Sequence, residues 1–326
     1  MLIRKQLGGS LATALLGVAM ALPLSSVQAQ EWPSKPVRIV HTSGGGSMSD
    51  IFSRIVADGL ASRLGQSVVV EGKPGGSGVI ASAEVARAAP DGYTLLIGTM
   101  SSHVMNPILL KPSYDAVRDF APVAMLATTP LVLVTNKATT SSLNELIALS
   151  KRPGNTLTFA SWGNASLSHL AAELMMASTG GTMTHVPYKS AVSARVDLMA
   201  ERVSIMFSDM IGMNEVKSGR LKVVGTTGSN RASAYPDVPT LAELGLNGYE
   251  TLGWFAIYAP AATPKPIVAR LSKEVATLFT SPEFRKRIQD LGVEPTYADP
   301  QQLAERMKTD AAKWSKLVRD KNIKVD

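Results

Sequence analysis

Apolar positions along the chain alternate between two periods. Val37-Arg38-Ile39-Val40 reads as a strand, and a loop over 41–49 follows it. From about Asp50 the spacing lengthens. Ile51, Ile55, Leu60 and Leu64, with Phe52 and Val56 alongside, share one helical face, and Gly65 suits the residue just past its end. Val68-Val69-Val70 predicts a second strand, a glycine-rich turn follows, 79–88 predicts a helix and 94–98 a third strand. Strand, helix, strand, helix, strand implies a parallel, doubly wound sheet.

The same grammar then returns. Residues 131–135 predict a strand, and Ser142 with Glu145 makes a capping box for a helix over 143–150. A strand over 157–160, a loop over 161–166 and a helix from Leu167 to about Ala177 follow, with further strands at 203–207 and 221–226. Residues 254–259 read as a strand that returns the chain to the first unit. The C-terminal end is helical: Thr263-Pro264, Ser281-Pro282 and Asp299-Pro300 each pair a capping residue with a proline at the first helical position. No internal repeat or low-complexity tract appears. The pattern predicts an α/β chain of two lobes, with 30–130 plus 252–326 forming lobe 1 and 131–251 lobe 2.

Composition narrows the chemistry. The 326 residues contain no cysteine, which excludes a disulfide scaffold, a thiol nucleophile and a cysteine-ligated zinc site. The formal charge of +7 favours anionic partners, but no Lys/Arg run with interleaved aromatics points to nucleic acid. Residues 1–29 read as a signal peptide. Arg4 and Lys5 precede an uncharged apolar stretch over 11–24, and Val27-Gln28-Ala29 offers small residues at the cleavage site. The apolar run is shorter than the ~20 residues of a membrane span. A soluble periplasmic protein is expected, where nucleotide cofactors are scarce; neither cofactor nor metal is anticipated.

Two loops share one design. Residues 41–50 (HTSGGGSMSD) and 161–166 (SWGNAS) each join a predicted strand to a predicted helix. Small residues leave backbone N–H groups accessible, and a helix N-terminus adds free donors and partial positive charge. Each is a candidate anion cradle at the carboxyl end of a parallel strand, or an ordinary turn. Asp50 reads as a helix cap rather than a pocket group. Gly76-Ser77-Gly78-Val79-Ile80-Ala81 matches a dinucleotide pattern, but the long turn before it and the export signal favour a plain turn and helix start. The histidines at 41, 103, 169 and 185 lack helical metal spacing. His169 lies in the first turn of a helix and either faces the pocket or packs. Trp162 is bulky among small neighbours and either meets a ligand or covers an apolar face; Trp254 reads as core. No G-x-S-x-G elbow or placed triad signals a hydrolase.

An ordered set of segments resembles the Bug family, the periplasmic substrate-binding proteins of tripartite tricarboxylate transporters. It comprises Pro33-Ser34-Lys35-Pro36-Val37-Arg38, Pro90-Asp91-Gly92-Tyr93-Thr94-Leu95-Leu96, Asp119-Phe120-Ala121-Pro122-Val123, Gly163-Asn164, His185-Val186-Pro187-Tyr188-Lys189 and Pro236-Asp237-Val238-Pro239-Thr240. The resemblance implies a two-lobed, flytrap-like binding protein without catalytic activity, each lobe a mainly parallel doubly wound sheet, joined by crossover strands. It implies capture of a small carboxylate and delivery to a membrane permease, or in some members to a sensor.

By position, the resemblance implies binding by Ser43, Gly44, Gly45, Gly46, Ser47 and Met48 on the first loop. Met100, Ser101, Ser102 and His103 would line the cleft from lobe 1. Ser161, Trp162, Gly163, Asn164, Ala165, Ser166 and His169 would form the second loop, with Lys189 and Asp209 near it. The chain departs from the family pattern where Thr42-Ser43 replace Pro-Phe and Ser47-Met48 stand at small-residue positions. Trp162 adds bulk, Ala165 stands where glycine is common and Ser190 replaces the usual glycine after Lys189. An aromatic or less charged carboxylate is the expectation drawn from those changes.

Overall fold

The protein is described by a computed structural model covering residues 32–320; the expected signal segment lies outside the described residues. The chain opens with β1 (Val37–His41), α1 (Met48–Leu64), β2 (Val68–Gly72), a tight turn at Gly76–Gly78, α2 (Val79–Ala86) and β3 (Thr94–Thr99). A π-type turn, Ser101–Met105, runs into α3 (Asn106–Leu109), and β4 (Phe120–Pro130) follows. The middle segment carries β5 (Val132–Thr135), α4 (Leu143–Ser150), β6 (Thr158–Ser161), α5 (Leu167–Thr179), β7 (Thr184–Pro187), α6 (Ala191–Met199), β8 (Ile205–Ser208), α7 (Gly212–Lys217) and β9 (Lys222–Thr226). The chain closes with β10 (Leu252–Pro260), α8 (Lys265–Leu278), α9 (Pro282–Gln289), β11 (Glu294–Ala298) and α10 (Pro300–Asp320).

Two mixed sheets result, ordered β11-β4-β10-β3-β1-β2 and β7-β6-β8-β5-β9. In the first, β1 lies parallel to both β2 and β3; in the second, β6 lies parallel to both β7 and β8. Each sheet then receives one antiparallel strand in its interior. β10 lies between β3 and β4, and β5 between β8 and β9. The two sheets therefore repeat one topology that the sequence does not repeat. This is the expected two-lobed α/β architecture. Sequence periodicity misses β4, β7 and β11. β4 contains Pro122 and ends on Pro130, and β7 ends on Pro187, so neither shows clean alternation; antiparallel pairing with β10 and β11, and parallel pairing with β6, make them strands.

The chain passes between sheets at Leu131 and again near Thr251, and Thr227 ties the two passages together. Its hydroxyl accepts the Leu131 N–H at 2.8 Å and donates to the Thr251 carbonyl. Its own N–H donates to the Leu131 carbonyl and its carbonyl accepts the Thr251 N–H, both at 2.9 Å. Thr227 is fully buried, so all its polar groups find partners on the two passages. Apolar strand residues such as Ile39, Leu95 and Ile97 in one sheet, and Leu133, Phe159 and Phe207 in the other, are wholly buried. Phe52 of α1 stacks on Phe255 of β10 with ring centroids 4.7 Å apart, fixing that helix to the sheet. No described helix is long and apolar enough to cross a membrane.

Candidate functional site

A cavity of about 90 Å³ lies beyond the carboxyl ends of β1, β3, β6, β7 and β8, on the order of seven water positions. This is where doubly wound sheets place ligands, because helix N-termini and strand-end loops converge there. Ser43, Ser47, Met48, Ser49 and Ser101 line it from one sheet; Trp162, Leu167, Lys189, Ser190 and Asp209 line it from the other. Thr129, Leu131, Trp254 and Phe255 close it along the crossing strands.

The first loop is closed by its own helix. Ser47 caps α1, its hydroxyl accepting the Asp50 N–H at 3.2 Å and donating to the Gly44 carbonyl at 2.7 Å. The helix thus starts at Met48, ahead of the expected Asp50. Asp50 does serve the cap: its carboxylate reaches back to the Gly46 N–H at 2.9 Å and pairs with Arg54 at 3.0 Å and His41 at 3.4 Å. Burial pushes the Asp50 carboxyl up, but the Gly46 N–H, Arg54 and His41 together hold it below its usual range. Gly44, Gly45 and Gly46 do not line the cavity, and Gly45 and Gly46 are exposed. Met48, the first residue of α1, and Asp209 of the opposite sheet both line the cavity, and the Met48 backbone N–H lowers the Asp209 carboxyl slightly against the upward push of burial.

The second loop likewise satisfies itself. Ser166 caps α5 by accepting the His169 N–H at 3.2 Å. The Gly163 N–H goes to the Ser161 hydroxyl, the Ala165 N–H to His169 Nδ1 and the Ser166 N–H to the Gly163 carbonyl. The Leu167 N–H crosses the cleft to the Ser101 hydroxyl at 3.0 Å. The chain's own acceptors take the Ser43, Gly46, Ser47 and Asp50 N–H groups in the first loop and the Gly163, Ala165, Ser166 and Leu167 N–H groups in the second. His169 packs rather than facing the pocket. Its ring stacks on His185 at 3.9 Å, which stacks on Phe159 at 4.7 Å and sits 2.6 Å from the Ser161 hydroxyl. Burial, helped by the neighbouring imidazole, pushes His185 down to about 4.

Other expected residues divide. Of Met100, Ser101, Ser102 and His103, Ser101 lines the cavity, while the π-type turn carries the other three inward. Ser102 accepts the Thr99 N–H at 2.9 Å, and His103 stacks on Tyr258 at 3.9 Å, where burial pushes it down to about 3. Ser161, Gly163, Asn164, Ala165 and Ser166 shape the loop behind the wall rather than the wall itself. Gly163 is needed there: its φ is +126°, and a Cβ would stand 2.8 Å from the Ser77 hydroxyl. Ala165 holds a left-handed φ of +58°, a conformation that favours glycine over alanine. Trp162 lines the cavity and is half-buried. Trp254 is core, as expected, but its buried ring also forms cavity wall while Nε1 donates to Asp310 at 2.9 Å.

Sequence reasoning missed Ser77. The turn read as a plain helix start puts Ser77 at a left-handed φ of +53°, on the cavity wall, with its hydroxyl donating to the Asn164 carbonyl across the cleft at 2.5 Å. The signal was present: a serine between two glycines beside a helix start is a cheap way to turn a hydroxyl outward. Ser49 was passed over too; it lines the cavity, is 4% exposed, and its hydroxyl has no hydrogen-bond partner.

Two charged residues line the wall, Lys189 and Asp209. Asp209 is 2.8 Å from Arg195, whose Nε lies 3.8 Å from Glu215. Burial pushes the Asp209 carboxyl above its usual range against the pull of Arg195. Lys189 makes no ion pair with any other described residue.

Comparison with known proteins matches residues 52–323 to the tripartite tricarboxylate transporter family receptor model. R. palustris Rpa4515, solved with adipate, is similar at 31% identity, TM-score 0.87, covering 90% of this chain and 99% of that one. The periplasmic binding protein BugD is similar at 28% identity, TM-score 0.85, over 90% of this chain and 99% of its own. MatC from Rhodopseudomonas palustris, solved with bound malate, is similar at 29% identity, TM-score 0.82, over 88% of this chain and 99% of its own.

Proposed function

The chain belongs to the tripartite tricarboxylate transporter receptor family, a family of periplasmic solute-binding proteins rather than enzymes, and from that premise we propose that it captures a small carboxylate between its lobes for a permease of the tripartite tricarboxylate type. The observation that carries this reading is the cavity at the strand ends, walled from both sheets, with Lys189 exposed on its wall and without an ion pair among the described residues. Adipate and malate in the similar structures are acids of the proposed class. The signal-like residues 1–29 fit delivery to the periplasm, and lobes of 30–130 plus 252–326 and 131–251 fit closure about the Thr227 crossing.

Ser43, Ser47, Met48, Ser49, Ser101, Trp162, Lys189 and Asp209 form the proposed site, with Gly163 and Ser77 setting the approach of its walls. Trp162, Trp254 and Phe255 supply aromatic wall, so an acid with an apolar or aromatic body fits better than a short linear one. A charged hydrogen bond is worth ~1.5–3 kcal/mol. Two or three of them, plus burial of the body, reach the ~8 kcal/mol of micromolar binding after ordering costs.

Native mass spectrometry of the purified protein, followed by titration calorimetry across a carboxylate panel, tests the reading. A retained acid, or saturable heat with an acid returned unchanged, is expected. Absence of binding by every acid in the panel would end it.

A further inference from the structure

We infer that this site selects acids bearing a single carboxylate, and that Asp209 is the residue that turns away a second one. The inference rests on the carboxylate-capture reading above and adds a specificity-determining residue to it.

An acid entering the cleft would find its most favourable seat at the N-terminus of a long helix, where free N–H groups and the partial positive charge converge. At α1, 17 residues long, that seat is already taken by the chain itself. Asp209, just past β8 in the opposite sheet, stands on the cavity wall with Met48 at 8% exposure and 2.8 Å from Arg195, so the wall facing α1 already carries a carboxylate. Its charge is held in place by Arg195 at 2.8 Å, reached also by the Ser208 hydroxyl at 3.4 Å. Arg195 is in turn shared with Glu215 at 3.8 Å. Two acids thus lean on one guanidinium, and that end of the cavity has no positive charge left for a third. A ligand carboxylate pushed against it would meet a carboxyl group that Arg195 already serves at 2.8 Å, so the two acids would compete for one cation.

The opposite balance holds elsewhere on the wall. Lys189 lacks an acidic partner among the described residues, and the Ser49 hydroxyl is buried on the wall without a hydrogen-bond partner. The first N–H of α5 is met by the neutral Ser101 hydroxyl, so that helix keeps its partial positive charge. One unpaired cation matches one carboxylate. Hydroxyls such as those of Thr42, Ser43, Thr129 and Ser190 share the rest of the wall with apolar Met48, Leu131, Trp162, Leu167, Trp254 and Phe255; none of these carries the positive charge that a second carboxylate needs in exchange for its water.

Hexanoate and adipate test this directly, being six-carbon chains that differ by one carboxylate. Titration calorimetry of the wild-type protein should give hexanoate at least tenfold tighter than adipate. In Asp209→Asn the preference should shrink to threefold or less, and Asp209→Glu should keep it. Adipate binding as tightly as hexanoate to wild type overturns the inference while leaving carboxylate capture standing, and so does a preference unchanged in Asp209→Asn. If neither acid binds, and an aromatic pair (benzoate against terephthalate) also gives no heat, the capture reading falls and takes this inference with it. Should Asp209→Asn fail to fold by circular dichroism, the wild-type ratio decides alone.

Discussion

Ser47 and Ser166 hold equivalent places on opposite walls of the cleft. Each caps a helix that starts where a strand ends, and each accepts an N–H three residues on. The loops differ in what closes them from inside and in what they meet across the gap. In the first, the Asp50 carboxylate draws the Gly46 N–H inward; in the second, His169 Nδ1 takes the Ala165 N–H. Across the gap, α1 meets the acid Asp209 and α5 meets the hydroxyl of Ser101. The same local design therefore yields one helix end neutralised by carboxylates and one left electropositive. Loop shape alone does not specify an anion site; the groups that distant segments bring to it decide its charge.

That contrast can be broken at Arg195, the cation behind the acid facing α1. Arg195→Met leaves buried Asp209 and half-buried Glu215 without it and should destabilise the protein by about 3–5 kcal/mol, read as a drop in the urea midpoint; an unmoved midpoint would mean the pair is not held as charges. Acid probes one histidine behind each wall, His185 beside the second loop and His103 in the Ser101–Met105 turn. His185 and His103 are held neutral with folded values of about 4 and about 3, below the ~6.5 of an unfolded histidine. The unfolded chain then binds more protons, so their stabilising contribution is complete above pH 6.5 and fades as pH falls through the folded values. For His185 the loss between pH 7 and pH 4 should be on the order of 3 kcal/mol. Denaturation at both pH values measures it, and NMR titration of either ring near pH 6.5 would contradict it.

Gly163→Val should weaken ligand binding a hundredfold or more, about 2.7 kcal/mol, with an unchanged circular dichroism spectrum. The geometry assigns the loss to collision with Ser77 across the cleft rather than to a blocked amide, so Ser77→Gly in the same background should restore part of the affinity. Asp50→Asn should cost about 1 kcal/mol of stability and change affinity less than threefold. Lost binding at an unchanged melting temperature would move Asp50 from cap to pocket. The smallest effect is expected at Ala165→Gly, which relieves a left-handed alanine and should raise stability by about 0.5–1 kcal/mol once the freer unfolded chain is counted.

Much of this architecture could be read before any coordinates. The change of apolar period located β1, α1, β2 and β3, and residues 254–259 were legible as the returning strand β10. Both loops and both serine-led helix starts were visible as strings of small residues. What could not be read was direction. Whether an N–H in a glycine-rich loop points to solvent, to a ligand or to Asp50 depends on a side chain whose rotamer is set by Arg54 and His41. Whether α1 meets an acid depends on Asp209, more than 150 residues away. His103 and Ser102 looked like cleft residues because Ser101 is one; a single wide turn, Ser101–Met105, rotates them into the aromatic cluster of Tyr258, Phe120 and Tyr114.

Thr227 has a consequence for how this protein could be rebuilt. Everything between Leu131 and Thr251 enters and leaves through two chain segments stitched side by side to that one residue. An insert whose ends meet can be exchanged as a cassette, so a middle segment from a relative, grafted at those two points with the threonine retained, should carry its own half of the binding wall into this scaffold.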